Sequence, residues 1–432
     1  MSMVSSLALT SLAHGAKILA GFALLKIMAV YLGPDGIGQL GHMMSVVSIL
    51  TVLSGGGIIN GVVKYTSEYR NRPVVLFRFV SASASYATCF ALVVMLLGII
   101  FSVPIARLVF NNGDMYPIIC TLAVMQLFFA FANIVFGVSN GLMDTKIFAF
   151  SQLFGSLMSI PLFWIVIYYF SVSGAALSMV FASSLCAIPA FFYFKKSNFW
   201  NRINLSLSLS NGFSKLFSYT VMLLFSTVCF PIVEIFIRQI LITQVGFHDA
   251  GIWQASIRLS AAYLGFFTVF LGFYFMPKAS LQSERSKLAV LVLKCLIFVQ
   301  AAFLLGALVL YLGRGFFVTL LFSEDFSPLK ELIAYQLVGD FFKISSYVFG
   351  FIAVAKAATK LYIAAEIIQG GVFFGIATLL SSRAPGVESV MQAYMLTYIL
   401  YFVVSATSAV VYLRRRNGRE RTTPAKILLE KK

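Results

Sequence analysis

The chain has 432 residues, 60% of them hydrophobic and only 11% charged, with a formal net charge of +17. Soluble domains are about half apolar and about a quarter charged, so this composition excludes a soluble core on one anchor and points to many membrane crossings. The basic excess sits in short loops and at the C-terminal end, without aromatic-interleaved basic stretches, which excludes nucleic acid as a partner and fits topology and anionic lipid.

The start, "MSMVSSLALTSL", has no charged n-region and no cleavage site, so the first apolar segment is expected to be retained. A crossing needs about 20 mostly apolar residues. Cutting at glycine, proline, asparagine and charge clusters gives twelve expected spans: 6–32, 37–63, 79–106, 116–140, 147–170, 173–194, 216–244, 250–276, 288–312, 331–355, 361–381 and 389–413. "GGG" at 55–57 reads as a break or close-packing point in span two. Cys89, Cys120, Cys186, Cys229 and Cys295 all fall within spans, form no CxxC pair and read as small buried hydrophobes.

Loop charge orients the spans. With the N-terminus inside, the inner loops carry Lys64, Arg70, Arg72, Arg78, Lys146, Lys195, Lys196, Arg202, Lys215, Lys278, Arg285, Lys287, Lys294, Lys356 and Lys360. The outer loops carry only Arg107, Arg314, Lys330 and Arg383, beside seven acids that include Asp35 and Asp249. This is the positive-inside pattern, and it places both termini in the cytoplasm.

The two halves resemble each other. "DGIGQ" at 35–39 returns as "DAGIWQ" at 249–254, and "VFGVSNGLMDTK" at 135–146 returns as "VFGFIAVAKAATK" at 348–360, at nearly one offset. Six spans per half preserve orientation, so the halves should be related by an axis along the membrane normal, as in transporters with a site between repeats. The expected fold is therefore all-α: an N-lobe at 1–194, a cytoplasmic linker at 195–215, a C-lobe at 216–413 and a basic tail at 414–432.

Among the charged groups inside these spans, eight call for an explanation: Lys17, Lys26, Arg238, Arg258 and Lys343 against Glu234, Asp340 and Glu366. Such groups usually face a bundle interior or water. Glu234 and Arg238, four apart, can pair locally, as can Asp340 and Lys343, three apart. Pro231 suggests a kink that would free backbone carbonyls. Lys17, Lys26 and Arg258 have no acid within reach on their own helix. Nine residues place Lys17 and Lys26 on opposite faces of a straight helix, so facing one cavity together needs a bend, for which Gly21 is the candidate. Snorkelling is the alternative for Lys26. An unpaired positive excess in low dielectric favours an anionic guest between the halves, and pyrophosphate suits Arg forks and Lys point charges.

There is no GxxxxGK[ST], no HExxH and no metal-ligand cluster, so no cofactor is expected, and an ion gradient or downstream consumption must drive transport. His14, Glu234, Asp340 and Glu366 are the candidate coupling groups. The longest outer loop, about 313–330, is too short for a catalytic domain, which argues against a polysaccharide polymerase or ligase.

"YLGPDGIGQ", "NGVVKYTSEY", "DAGIWQA" and "YQLVGDFFKISSYVFGFIAVAKA" resemble the Wzx-type flippases of the multidrug/oligosaccharidyl-lipid/polysaccharide (MOP) superfamily over nearly the whole chain to about residue 416. The resemblance implies a V-shaped, two-lobed bundle in the bacterial inner membrane. It implies a flippase that moves undecaprenyl-pyrophosphate-linked glycans, of O-antigen or enterobacterial common antigen type, to the periplasmic leaflet. Cavity-facing basic residues would hold the headgroup, a role carried here onto Lys17, Lys26, Arg238 and Arg258, with Lys343 beside them. A polysaccharide polymerase and a chain-length regulator are the implied partners besides the bilayer. The alternative within the superfamily is a cation-coupled multidrug antiporter, which should want an acidic cavity.

Overall fold

Inside a bilayer no water satisfies backbone N–H and C=O groups, so apolar segments must close their hydrogen bonds internally. The structure, a computed structural model, describes residues 3–197, 199, 202, 213–282, 284–355 and 359–414, and among these every long apolar run is a helix and no strand occurs.

Helix α1 (Met3–Leu53) holds the first expected span and the first part of the second, which continues into the elements that follow. Its backbone leaves helical geometry only at Gly33, with φ 62° and ψ −171°, a region that glycine tolerates; Pro34 follows and cannot donate a backbone hydrogen bond. Beyond a 3-10 turn (Ser54–Gly57) lies α2 (Ile59–Glu68). Then come α3 (Pro73–Ile100), α4 (Ser102–Phe110) and α5 (Tyr116–Gly141). α6 (Thr145–Ser184) contains span five and the first part of span six, broken at Ser171, and α7 (Ala187–Lys196) carries the rest of span six and completes the first half.

The second half begins with α8 (Phe213–Val245), which continues through Pro231 as one helix. α9 (Phe247–Phe270) passes through a π-turn (Leu271–Phe275) into α10 (Met276–Leu281). After α11 (Arg285–Leu312), the expected loop at 313–330 is largely helical: α12 (Arg314–Leu321) and a 3-10 turn (Glu324–Phe326) occupy it. α13 (Leu329–Ala355), α14 (Thr359–Arg383) and α15 (Val387–Arg414) follow.

Nine helical stretches among the described residues are long and apolar enough to cross a membrane. Two of them, Gly15–Glu68 and Lys146–Lys196, run to 54 and 51 residues, more than twice the length that one crossing needs. Twelve crossings follow if each turns back at its break and α9 also crosses; that count is a proposal. Helices α1 to α7 pack mainly among themselves, as do α8 to α15, and α1 joins the halves by packing on α8 and α9. The lobe boundary at 195–215 stays a proposal, since most of that linker, like residues 415–432 of the tail, lies outside the described residues.

The glycine triplet is both a break and a packing point. Gly55, Gly56 and Gly57 are buried with φ of 66°, 81° and 64°. Thr220 of α8 donates to the Gly56 carbonyl at 2.6 Å and shares a 2.7 Å hydrogen bond with Tyr86 of α3. A Cβ on Gly56 would meet the Tyr86 ring at 2.6 Å, whereas one on Gly21 would meet nothing within 4 Å. Gly56→Ala should therefore cost about 1–3 kcal/mol through strain at positive φ, while Gly21→Ala should stabilise by about 0.5–1 kcal/mol. Thermal melting in detergent checks this; equal melting temperatures for the two variants would refute the close seat.

Candidate functional site

The two copies of the internal repeat meet each other at the outer end of the joint between halves. A Cβ on Gly38 would collide with the Phe247 carbonyl, and one on Gly251 with the carbonyl of Pro34. Backbone therefore lies against backbone there, an approach that only glycine permits. At the rim, His248 Nδ1 sits 3.5 Å from Asp35 Oδ2 in an exposed pair. The repeated aspartates do different work: Asp249 stays in its own half and accepts from the Val387 amide at 3.2 Å.

One turn deeper, Arg238 of α8 is wedged into this seam at 0% exposure. It donates to Gln254 Oε1 at 2.6 Å and to Ser45 Oγ at 3.4 Å, lies 3.3 Å from His42 Nδ1, and stands over the Trp253 ring at 5.6 Å. Any side chain on Gly41 would strike its guanidinium. Its Nε has no hydrogen-bond partner among the described residues; its hydrogen bonds go to neutral groups under one aromatic face, with the Glu234 carboxylate within electrostatic reach but not in ion-pair contact. Lys26 makes a second tie. Its Nζ donates to the backbone carbonyls of Thr319, at 2.8 Å, and of Phe322. These are carbonyls at the C-terminal end of α12, where helices leave acceptors unsatisfied and favour cations.

A largely apolar chamber with charged side chains in its walls lies within the second half, bounded by α8, α9, α13, α14 and α15. It consists of cavities of about 280 Å³ and 370 Å³ that share Phe230, Thr268, Lys343 and Tyr347 in their walls. Glu234 lines the first and Glu366 the second. Beneath it, Asp340 is at 0% exposure. Its carboxylate accepts from Ser260 at 2.7 Å, Tyr394 at 2.6 Å, Tyr263, and Gln336 at 3.3 Å. Serines one turn apart on α9, Ser256 and Ser260, meet Gln336 and Asp340 one turn apart on α13, so helical period alone builds this ladder. Lys343 donates to Tyr394 at 3.0 Å and is caged by the rings of Phe230, Tyr394 and Tyr398 at 4.8–5.2 Å. Tyr394 thus stands between the ammonium and the carboxylate.

With this geometry in hand, the comparisons with known proteins are specific. Residues 3–280 match the family described as polysaccharide biosynthesis protein. The lipid III flippase of Escherichia coli (strain K12) is 32% identical over 416 residues, 96% of this chain and all of that one. The chain belongs to the polysaccharide biosynthesis protein family. Its fold is that of the MOP superfamily. The lipid II flippase MurJ in an inward closed conformation gives a TM-score of 0.72 at 13% identity, over 95% of this chain and 90% of that one. An inward-facing MATE family multidrug transporter gives 0.69 at 16% identity, over 93% and 96%.

For a member of this family, the charges are distributed otherwise than the sequence suggests. The expected Glu234–Arg238 pair is not among the ion pairs of the described residues: Glu234 turns to the chamber while Arg238 turns to the seam, because Gln254, Ser45 and His42 offer hydrogen bonds there. The direct Asp340–Lys343 pair is replaced by the bridge through Tyr394. The bend expected at Gly21 is absent, since α1 departs from helical geometry only at Gly33, so Lys17 and Lys26 diverge. Lys17 is exposed near the turn that carries Cys186. Lys26 does not snorkel to water but caps α12. Arg258 is half-buried within electrostatic reach of Glu234, its Nε without a partner among the described residues. The His14 side chain lies outside the described residues. Among the described residues, Arg238 is engaged at the seam and Lys26 at α12, so these two do not share a cavity with Lys343. The described chamber holds Lys343 with Glu234, Glu366 and, below, Asp340, and it lies inside one half.

Tyr263, Tyr394, Gln254 and His42 were missed from sequence. Tyr394 and Tyr398 one turn apart, and Gln336, Asp340 and Lys343 along one stretch of α13, were the available signal. Gly251→Val should hold the seam apart without preventing insertion. Cysteines placed at Asp35 and His248 should be joined by a short thiol cross-linker in the otherwise native chain, and at least fivefold less with Gly251→Val. Equal cross-linking would show that the glycine contact does not close this end.

Proposed function

We propose that this chain is a flippase that carries undecaprenyl-pyrophosphate-linked oligosaccharide units, of O-antigen or lipid III type, from the cytoplasmic to the periplasmic leaflet of the inner membrane. The observation that carries this reading is the end-to-end correspondence with the lipid III flippases of Escherichia coli (strain K12) and Shigella flexneri, each 32% identical over its full length. Both termini lie in the cytoplasm in this reading, and a polymerase and a chain-length regulator take the product on the outer side.

Alternating access gives the separated charges successive roles. With the outer seam closed, Lys343, Arg258 and Lys17 are the headgroup contacts available from the inner side. When the seam parts, Arg238 loses Ser45 and His42, and Lys26 loses the α12 carbonyls. Both cations then need new acceptors, and pyrophosphate oxygens supply them. Burying a guanidinium without a carboxylate costs on the order of several kcal/mol, so an anion that reaches Arg238 favours the open seam. Glu234, Asp340 and Glu366, with His14, form the coupling set, because a chamber with more acids than bases favours a proton or metal cation. That acidity also favours the second reading, a cation-coupled drug antiporter.

Lys343→Gln and Arg238→Gln should each insert normally yet restore less than a tenth of the surface polysaccharide of a flippase-deficient strain. Wild-type polysaccharide with both variants would sink the proposal. Drug susceptibility of the deletion strain separates the second reading, since only an antiporter should change it.

A further inference from the structure

We propose that His42 is a proton site built into the seam: its imidazole locks the outer end only while neutral, and a proton taken from the outer side favours opening. The proposal rests on the alternating-access reading above and adds the condition under which the outer end parts.

His42 stands on α1 at 3% exposure, and both of its ring nitrogens are engaged. Nδ1 lies 3.3 Å from a terminal nitrogen of Arg238, and Nε2 lies 3.2 Å from Gln239 Oε1. Arginine carries donors and no acceptor. Nδ1 must therefore offer its lone pair to the guanidinium, which leaves the ring's one proton on Nε2, where Gln239 Oε1 accepts it. The two contacts agree on a single tautomer of the neutral ring.

A second proton has no place in this arrangement. On Nδ1 it would set N–H against N–H and charge against like charge, at the point where α1 meets α8. The neighbours do not offset it. Ser45 on α1 and Gln254 on α9 are turned to Arg238, and Trp253 presents a ring to the guanidinium. Glu234 of α8 and Arg258 of α9 act on Arg238 without an ion-pair contact to it. At the rim, Asp35 pairs with His248, and Asp35 precedes His42 by about 10 Å along α1. Arg238 is thus the charged group that faces the ring.

Parting the seam removes the conflict. The ring and the guanidinium separate, outer water reaches both, and Nδ1 is free to take a proton from it. A phosphate that binds Arg238 also places an anion near the imidazolium. Proton and phosphate therefore favour the same open state, and by linkage each strengthens the binding of the other. Closure reverses the step: the Nδ1–H bond breaks, the proton returns to outer water, and the lone pair meets Arg238 again. Imidazole suits this task, because its charge changes between about pH 5 and pH 8.

The test uses the full chain in nanodiscs, with hydroxyl-radical footprinting at pH 8 and pH 5.5 read by mass spectrometry at Met44 and Trp253, both buried at the seam. A proton confined to the open state, on a ring that titrates near the ordinary imidazole value, makes opening about tenfold more frequent at the lower pH. Oxidation of both residues should rise in proportion. His42→Gln, which stays neutral and keeps a hydrogen-bonding side chain, should insert and hold the change below twofold. If it fails to insert, His42→Asn, which keeps an acceptor for Arg238, takes its place with the same expectation. His248→Gln, which removes the rim histidine, should leave the rise intact. A rise of less than threefold in the native chain, a rise that survives the loss of His42, or one that vanishes with His248→Gln each overturns the proposal. Reconstituted translocation of a lipid-linked glycan keeps the two readings apart. A response that depends on His42 without translocation removes the flippase reading and leaves the proton site, and translocation without that response removes the proton site alone.

Discussion

A guanidinium shut away between two halves of a membrane protein, with no carboxylate against it, is the constraint around which this molecule is organised. Arg238 is held by a glutamine, a serine, a histidine ring and the face of a tryptophan. These neutral partners engage its two terminal nitrogens, leave Nε without a partner among the described residues, and do not cancel its charge. A salt bridge in that position would make the closed seam hard to leave; neutral partners keep the charge available to a guest with phosphate oxygens. The glycines around it supply the complementary property. Where backbone meets backbone, at Gly38 and Gly251, the closed state is tight in shape without side chains interposed at those two contacts.

The same two helices serve the seam and the chamber. On α8, Glu234 and Arg238 stand one turn apart and face different places, the carboxylate to the chamber and the guanidinium to the seam. On α9, Gln254 supports Arg238, while Ser260 and Tyr263, two turns further along, hold Asp340. A rigid displacement of either helix changes both places together. That is the physical requirement for coupling: one element with two arrangements that both sites bias. The bridge from Lys343 through Tyr394 to Asp340 carries the same logic into α13 and α15, because a headgroup that draws the ammonium away also removes a donor from the tyrosine.

Much of this could be read before any coordinate. Long apolar runs located nearly every helix, since a chain in lipid has no other way to satisfy its backbone. The repeat "DGIGQ" and "DAGIWQ" marked the segments that turn out to meet at the seam, though nothing in the letters said that the copies touch each other. The intramembrane charges were correctly singled out as the unusual residues. Their directions were not legible. Lys26 ends on carbonyls of a short helix almost 300 positions away, and the Glu234–Arg238 spacing suggested a pair that Gln254, Ser45 and His42 outbid.

Composition and periodicity by themselves determined the class of the protein, the approximate limits of its apolar segments, the internal repeat and the list of ionisable residues that need an explanation. These are local or additive properties, set by each segment's own requirement to be apolar and hydrogen-bonded. Tertiary structure alone decided which charge meets which partner, and that Arg238 closes a seam while Lys343 lines a chamber. Each of those depends on the rotation of one helix about its axis against another. In a bundle apolar on nearly every side, too little amphipathic signal is left in the sequence to set that rotation.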